Sequence, residues 1–402
     1  MAGTRGRSFD LVLWGATGYT GRLVAMALAD TDDGRLRWAL AGRDRGRLEG
    51  LRTELGRDDL EVLTTDAHDE AGLDMLATTT RVIASTVGPY AAHGTSLVAA
   101  CAAHGTHYAD IAGEVLWMRS TIDAFHSSAA RSGARIVHAC GFDSVPSDVG
   151  VWWLQRIAVE RYGRPCASVL HGFGPMVGGF SGGTVASALA LTRALQADPA
   201  QRRALADPDL LAPGAPASVP AAGAAALRWA AELGAWTAPF FMAPVNEAIV
   251  RRTRALLGEP WGTDFTYRER WSARGWGEAV AVAAATSVVP AAAAVGPVRR
   301  WAERRLPRGG EGPSAAVRAR GYFRTTLVGR VEGAEEPIVV RVACDQDPGY
   351  GATALMLREA ALCLAHEEYG PLAGVLTPAV AFGGPLLQRL QRSGVRFELV
   401  GG

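Results

Sequence analysis

The sequence predicts an α/β protein of two domains: a doubly wound parallel sheet at residues 1–150, and a second α+β domain at 151–402. Short apolar segments alternate with helical patterns through residues 9–150, and this alternation stops after Gly150. Strands that alternate with helices pair in parallel through right-handed crossovers. A length of 402 residues also suits two domains.

In the first domain the apolar segments predict six strands: Phe9–Trp14, Leu36–Ala41, Glu61–Thr64, Arg81–Ser85, His107–Asp110 and Arg135–Ala139. The segments between them have helical patterns: Gly21–Ala29, Gly46–Leu55, Ala71–Ala77, Thr95–His104 and Val115–Ser132. Together they predict a sheet covered by helices on both faces.

The second domain is predicted to hold a mixed or antiparallel sheet together with apolar helices. Its expected strands are Cys166–Phe173, Ala319–Val331, Pro337–Asp345 and Val395–Val400. Residues 197–224 are rich in Ala and Pro, which predicts an insertion or loop. The C-terminal helices, Gly351–Glu367 and Pro385–Ser393, have the option of packing back on the first domain.

Two apolar segments allow more than one interpretation. Ala279–Val298 has no charge, but it is mostly Ala and Pro290 interrupts it, so a helical hairpin is favoured over membrane insertion. Trp229–Val250 is also apolar and carries Trp236, Phe240 and Phe241. Core helices, the lining of a greasy pocket and peripheral contact with a membrane all stay open for these segments.

Composition excludes several classes of protein. Hydrophobic residues make up 49% of the chain and charged residues 20%, typical of a folded core. The net charge of +1 gives no support for a nucleic-acid partner. All basic residues apart from His are Arg, so lysine Schiff-base chemistry is excluded. Five scattered Cys and a polar N-terminus favour a reducing, cytoplasmic location without a signal peptide.

The first strand ends in the glycine loop Gly15-Ala16-Thr17-Gly18-Tyr19-Thr20-Gly21, which opens a helix. Gly15 allows the tight turn, Gly18 lets the backbone approach a pyrophosphate, and Gly21 lets the helix pack closely on the sheet. The helix N-terminus offers free N–H groups to the phosphates. This loop, in this strand-to-helix context, predicts a Rossmann domain with a bound dinucleotide.

The end of the second strand predicts NADP rather than NAD. Arg43 lies 22 residues after Gly21, where NAD-dependent proteins carry an acid and NADP-dependent ones an arginine. Its guanidinium suits a 2′-phosphate. Asp44 leaves an ambiguity, because a shift of one residue would put a carboxylate in its place. Asp66, after the third strand, is the expected adenine contact.

Two further loops follow strands at the edge where open α/β sheets bind ligands. Val87, Gly88, Pro89 and Tyr90 follow the fourth strand and are expected beside the nicotinamide. Gly141–Asp148 follows the sixth strand and opens a helix, with Ser144 or Ser147 as its cap. Asp143 is expected either to serve turn chemistry or to contact cofactor or substrate.

At these residues the sequence resembles the saccharopine dehydrogenase-like oxidoreductases. The resemblance rests on Gly15–Gly21, Val87–Tyr90, Tyr108–Glu114 and Gly141–Asp148. Later segments resemble the bacterial branch that includes trans-acting enoyl reductases: Ser181–Thr184, Gly310–Ser314, Asp347–Gly351 and Gly374–Ala379. The resemblance implies NADPH-dependent reduction of an α,β-double bond on an acyl chain held by a polyketide synthase or acyl carrier. The missing lysines argue against saccharopine itself as the substrate.

Enoyl reduction needs a donor to the thioester oxygen and a proton at Cα. Tyr90 is our first candidate and Ser144 the second, with an aromatic shelf under the cofactor as the alternative role for Tyr90. Ser181 and Thr184 are candidate substrate contacts. We expect no metal, since His104 and His107 lack a third ligand. His171 is expected in the core of the second domain.

Two rival functions stay open at this point: carbonyl or imine reduction in secondary metabolism, and a non-catalytic lipid-surface protein that retains the nucleotide fold. A homodimer is also compatible with the sequence.

Overall fold

The structure is a computed structural model that describes residues 6–32, 34–178, 198–215, 227–294, 312–367 and 370–401. These residues form two compact units, each of which is made of three separate segments of the chain. Unit 1 contains residues 1–142, 308–312 and 350–390, and unit 2 contains residues 143–307, 313–349 and 391–402. The first boundary therefore lies at Phe142, where the sequence placed it at Gly150, and residues 350–390, which contain most of the C-terminal helices with the option of packing on the first domain, belong to unit 1.

Unit 1 is built on a parallel sheet, sheet A, in which seven strands are described in the order β13-β6-β5-β4-β1-β2-β3. Its strands are β1 (Phe9–Trp14), β2 (Trp38–Gly42), β3 (Glu61–Thr64), β4 (Thr80–Ser85), β5 (His107–Asp110), β6 (Arg135–Val137) and β13 (Gly374–Leu376). The central strands are buried and apolar, as in β1, where only Asp10 is partly exposed. The predicted parallel sheet is thus confirmed, and the unpredicted β13 extends it.

The helices of unit 1 connect these strands. They are α1 (Tyr19–Thr31), α2 (Arg45–Glu54), α3 (Glu70–Thr79), α4 (Tyr90–His93), α5 (Thr95–His104), α6 (Val115–Ser132), α12 (Thr353–His366), α13 (Pro378–Phe382) and most of α14 (Gly384–Arg392). Buried Leu355, Met356, Leu357 and Leu364 show that α12 is a core helix of this unit. Its apolar residues therefore explain why a C-terminal helix lies with the N-terminal sheet.

Unit 2 is built on a mixed sheet, sheet B, with strands in the order β14-β12-β11-β7-β10-β9-β8. They are β7 (Cys166–Val177), β8 (Arg228–Ala230), β9 (Ala235–Pro239), β10 (Thr266–Ala273), β11 (Tyr322–Val331), β12 (Ile338–Cys344) and β14 (Arg396–Val400). Only β7 and β10 pair in parallel among the described neighbours. The consecutive strands β11 and β12 pair antiparallel as a hairpin.

The helices of unit 2 are α7 (Val145–Tyr162), α8 (Pro199–Leu205), α9 (Ala243–Leu256), α10 (Trp276–Ala294) and α11 (Ala315–Arg318). Of the interpretations left open for the apolar segment Trp229–Val250, core helices do not describe its first part, because residues 228–230 and 235–239 form β8 and β9. The expected break at Pro290 is also wrong, since α10 continues to Ala294. Within the described ranges, no helix is long and apolar enough to cross a membrane.

Candidate nucleotide site

The carboxyl ends of β1 and β4 form the centre of the candidate site. The two strands are neighbours in sheet A, yet the chain leaves β1 toward β2 on one side and reaches β4 on the other. Such a reversal of strand order opens the crevice in which doubly wound sheets bind their ligands. The loops that follow β1, β2, β4, β5 and β6 all begin at this edge.

The glycine loop after β1 has a geometry that requires glycine at two positions. Gly15 has a φ of +85°, and a Cβ on it would lie 2.6 Å from Cγ2 of Val87. A Cβ on Gly21 would lie 2.1 Å from the carbonyl oxygen of Gly15. Gly21 therefore serves the close packing of α1 on β1, and Gly15 brings the loop after β1 against the loop after β4.

Gly18 differs from these two glycines, because the backbone around it has room for a side chain. It caps α1 with a φ of −70°, and an added Cβ would meet only the carbonyl oxygen of Gly15, at 3.3 Å. No side chain caps α1, and its first turn carries no acid. The helix thus presents its positive end without a carboxylate to repel phosphate, which fits a bound pyrophosphate.

The other loop residues lie around this helix terminus. Thr17 accepts a hydrogen bond from the Arg47 guanidinium through its carbonyl oxygen, at 3.3 Å. The ring of Tyr19 meets that of Tyr350 edge to face, with centroids 4.5 Å apart. Thr20 lies in the first turn of α1. Because Tyr350 is buried in unit 1, a residue far along the chain supports the predicted phosphate loop.

Arg43 and Asp44 have different surroundings, which bears on the ambiguity between them. Arg43 is exposed, and within the described part of the chain its guanidinium has no hydrogen bond or ion pair. The Asp44 carboxylate accepts the backbone N–H of Arg47 at 3.0 Å and so caps α2. Asp44 has a structural role in α2, whereas Arg43 stays available to an anion.

Asp66 lies in the exposed loop after β3, and its carboxylate accepts the backbone N–H of His68 at 3.1 Å. This is a local turn contact, and its other oxygen leaves room for a further donor. The expected adenine contact by Asp66 remains a prediction.

Tyr90, our first candidate proton donor, is 5% exposed. Its hydroxyl donates to the carbonyl oxygen of Ser85 at 3.1 Å and accepts the backbone N–H of Ile111 at 3.4 Å. Its ring stacks on that of Trp117, with centroids 5.4 Å apart. Burial, more than the nearby Asp110, raises the pKa of Tyr90 well above its usual value. The hydroxyl of Tyr90 is therefore engaged in holding the loop after β4.

Two carboxylates of the motif Tyr108–Glu114, to which the sequence assigned no role, lie at the same edge. Glu114 accepts the backbone N–H groups of Tyr90 and Ala91, each at 2.9 Å. Asp110, which is fully buried, pairs with Nδ1 of His138 at 2.8 Å. Acidic residues at the end of β5 and in the turn that follows it, next to the ligand-binding edge, were the signal for both.

Asp143 and Ser144 open unit 2. Burial raises the pKa of Asp143 to about 6, and Ser144 is the N-cap residue of α7. The Ser144 hydroxyl is 1% exposed and donates to Oδ1 of Asn246 at 2.8 Å, so it points into the unit. The structure does not place it at an open surface.

Asn246 connects Ser144 to a buried polar cluster that sequence reasoning missed. Its centre is Glu269, whose carboxylate accepts hydrogen bonds from Ser147, Tyr267 and, at 2.9 Å, Asn246. Tyr267 also contacts Nδ1 of His171 at 2.9 Å. Burial raises the pKa of Glu269 to about 8 and lowers that of His171 to about 3. His171 is thus a core residue, as expected.

Two predicted substrate contacts, Ser181 and Thr184, lie outside the described residues, as does the segment 310–311. In the described part of the chain no group of three or more His, Cys, Asp or Glu side chains could hold a metal ion. His104 instead pairs with Asp74, at 3.2 Å.

Residues 11–137 match the family model of the saccharopine dehydrogenase NADP-binding domain. A Mycobacterium tuberculosis protein provisionally named a trans-acting enoyl reductase is 44% identical over 98% of this chain and 97% of that protein. The trans-acting enoyl reductase of Mycobacterium ulcerans is 39% identical over 97% of each chain.

Among solved structures, apo saccharopine dehydrogenase (L-Glu forming) from Saccharomyces cerevisiae has a similar fold. The TM-score is 0.54 at 13% identity, over 98% of this chain and 100% of that one. This similarity concerns the fold alone. The NADP-binding domain match agrees with the cofactor expected from Arg43.

Proposed function

Because the chain belongs to the trans-acting enoyl reductases with a saccharopine dehydrogenase-type NADP-binding domain, we propose that it reduces the α,β-double bond of an acyl thioester with NADPH. The observation that carries the proposal is the 44% identity over nearly the whole chain, which includes unit 2 as well as the nucleotide domain. The oxidoreductase class and NADP follow from the same family.

The residues of unit 1 fit this cofactor. The uncapped, acid-free terminus of α1 and the open backbone at Gly18 would hold the pyrophosphate. The unpaired guanidinium of Arg43 would bind the 2′-phosphate, and Asp66 would lie near the adenine. The loop Val87–Tyr90 would then adjoin the nicotinamide, on the β4 side of the crevice.

When bound, NADPH supplies the hydride that is added at Cβ. The protein must stabilise negative charge on the thioester oxygen and allow a proton to reach Cα. Tyr90 and Ser144 remain the sequence-derived candidates for this donor. In the structure each hydroxyl donates to an internal acceptor, so donation to substrate requires that bond to break. Ser181 and Thr184 remain proposed substrate contacts.

We further propose that the acyl chain arrives tethered to an acyl carrier of a polyketide synthase. The support is the printed name of the relatives, because a trans-acting reductase works on a chain held by another protein. A reducing cytoplasm is our proposed location, and the five buried cysteines, which form no disulfide with one another, are compatible with it. Exposed Trp229, Phe241 and Trp276 of unit 2 are compatible with peripheral membrane contact.

The test is turnover of NADPH with a panel of enoyl, ketone and imine substrates. The enoyl set contains the same unsaturated acyl group on a carrier protein and on a small thiol. The expected product is saturated at the former double bond, with deuterium from labelled NADPH at Cβ and solvent deuterium at Cα. Reduction of only the ketones or imines would overturn the enoyl assignment, and absence of NADPH oxidation with the whole panel would overturn the reductase.

A further inference from the structure

The turn after β5, residues 110–114, is bonded to the loops on both of its sides. β5 lies between β4 and β6 in sheet A. All three strands end at the edge where the candidate site lies, and the turn belongs to the motif Tyr108–Glu114. Nothing in the proposed reaction so far gives this motif a role.

On the β4 side, Glu114 determines the position of the loop that contains Tyr90. Its two carboxylate oxygens accept the N–H groups of Tyr90 and Ala91, one each, at 2.9 Å. These N–H groups belong to the first turn of α4, which no residue of its own caps with a side chain. The backbone N–H of Ile111 adds a bond to the Tyr90 hydroxyl. The carboxylate therefore supplies a cap that the local sequence lacks.

On the β6 side, Asp110 determines the path of the chain after the strand. Its carboxylate accepts the N–H of Ala139 at 3.1 Å, and its carbonyl oxygen accepts the N–H of Cys140 at 2.7 Å. Ala139 has a φ of +60°, a left-handed conformation that costs energy for a residue with a Cβ. Asp110 also pairs with His138, whose other ring nitrogen contacts Thr121 at 2.9 Å. Asp110 thus holds an unfavourable turn in place.

This turn leads directly into Gly141 and Phe142. The N–H of Phe142 donates to the Thr353 hydroxyl at 3.2 Å, and an added Cβ on Gly141 would press against Thr353 at 3.1 Å. The loop after β6 is therefore bounded by Asp110 on one side and by the start of α12 on the other. Small displacements of Asp110 would be passed to it.

We propose that Asp110 and Glu114 are positioning residues for the nicotinamide half of NADP, through the loops after β6 and β4. The inference rests on the proposed function. A dinucleotide at the switch point has its adenine half over β1 and β2, where Arg43 lies, and its other half on the β4 side. The hydrogen bonds described above join the two carboxylates to the second set of loops, so their effect should be larger on that half.

Glu114→Gln tests this proposal, because Glu114 is partly exposed and its partners are backbone groups. Gln keeps the shape, but its amide NH₂ cannot accept a hydrogen bond, so one of the two N–H groups loses its acceptor. Calorimetry would compare NADPH with adenosine 2′,5′-bisphosphate, which carries the 2′-phosphate but no nicotinamide. Glu160→Gln, on the exposed face of α7, is the matched control.

The expected result is an affinity for NADPH about tenfold weaker in Glu114→Gln, with less than a twofold change for the bisphosphate. Fluorescence of bound NADPH should change in parallel, and Glu114→Asp, which keeps the carboxylate, should recover most of the affinity. Equal loss for both ligands, or no loss for either, would overturn the proposal.

If Glu114→Gln is unstable, the proposal can still be tested, because hydrogen exchange is measured on the wild-type protein. NADPH should slow exchange at the N–H groups of Tyr90, Ala91 and Ala139, and the bisphosphate should not. Unchanged exchange with NADPH would contradict the inference. Failure of the proposed function appears differently, as wild-type protein that binds NADPH yet reduces none of the substrates.

Discussion

The hydrogen-bonded carboxylates of the two units differ in what they bind. In unit 1, Asp110 and Glu114 accept mainly backbone N–H groups of loops at the edge of sheet A. In unit 2, Glu269 accepts from three side chains, which come from α7, α9 and β10. The first arrangement shapes loops around an open edge, whereas the second joins elements of a closed core.

This difference has consequences for charge. Glu269 is fully buried, so desolvation dominates and raises its pKa to about 8 despite its three donors. The comparison teaches that the number of hydrogen bonds alone does not set the pKa of a carboxylate such as Glu269, because burial outweighs them there.

The largest expected effect concerns the open edge of unit 1. Gly18→Val should weaken NADPH binding by at least about 100-fold, or roughly 2.7 kcal/mol, because the side chain would occupy the place of the pyrophosphate. Gly18 has an ordinary φ of −70°, and an added Cβ would meet one atom, the Gly15 carbonyl oxygen, at a tight 3.3 Å, so the fold should survive with a small loss of stability. Calorimetric titration and thermal unfolding would measure the two effects.

Gly21→Ala is the control for that prediction, since its Cβ would lie 2.1 Å from the Gly15 carbonyl oxygen. It should lower the unfolding temperature, which Gly18→Val should leave nearly unchanged. If Gly18→Val binds NADPH as the wild type does, the pyrophosphate lies elsewhere and the edge of sheet A is not the site.

The next effect concerns the 2′-phosphate, which distinguishes NADPH from NADH. Arg43→Glu should weaken NADPH binding at least tenfold and NADH binding less than about threefold, because a charged hydrogen bond to the 2′-phosphate contributes about 1.5–3 kcal/mol. Competition titrations with both coenzymes provide the measurement. Arg45→Glu is the matched control, as Arg45 already pairs with Glu49 at 2.8 Å. Equal losses for both coenzymes would make Arg43 a structural residue.

The sequence was a good guide to unit 1, because its information is local. The strand β1 and the helices α5 and α6 have the predicted bounds, and Gly15–Gly21 lies at the predicted strand-to-helix turn. Each of these depends on neighbours along the chain: apolar alternation, a cap, or a glycine. Asp44 is a partial exception. The sequence left open whether Arg43 or Asp44 lies at the nucleotide position, and only the bond between Asp44 and Arg47 showed that Asp44 caps α2.

The sequence was a poor guide where distant segments meet. Glu269 takes its donors from Ser147, Asn246 and Tyr267, and only the last is nearby in the chain. The strand β13 joins β6 although more than 200 residues separate them, and periodicity in Gly374–Leu376 is too short to show it. Likewise the sequence did not distinguish β8 and β9 from a core helix, because apolar aromatic residues suit both states.

A smaller effect tests the closed core of unit 2. With a folded pKa of about 8 against an ordinary 4.5, Glu269 keeps its proton in the folded protein over a range where the unfolded chain has lost it. Rising pH therefore favours unfolding across that range, by about 1 kcal/mol per pH unit. Glu269→Gln should remove this loss of stability between pH 6 and 7.

Urea unfolding at the two pH values would measure the free energy of unfolding. Glu398→Gln, an exposed carboxylate on β14, is the control and should keep the slope of the wild type. His171, with its pKa lowered to about 3, destabilises the fold as pH falls through about 6.5, but it is present in both proteins, so the difference between their slopes reports Glu269. Identical slopes for wild type and Glu269→Gln would show that Glu269 is ionised in the core.

The smallest effect concerns Tyr90, whose backbone N–H donates to a carboxylate and whose hydroxyl bonds to backbone groups. Tyr90→Phe removes a hydroxyl that donates to Ser85 and accepts from Ile111, so we expect a loss of about 0.5–1 kcal/mol of stability. If the hydroxyl only holds the loop, kcat should stay within about threefold of the wild type. Tyr162→Phe, at an exposed residue of α7, is the control.

A fall in kcat of about 100-fold or more, with NADPH affinity retained, would instead establish Tyr90 as the proton donor. Its bond to the Ser85 carbonyl would then have to break in each turnover, and the buried loop of unit 1 would have to open for catalysis.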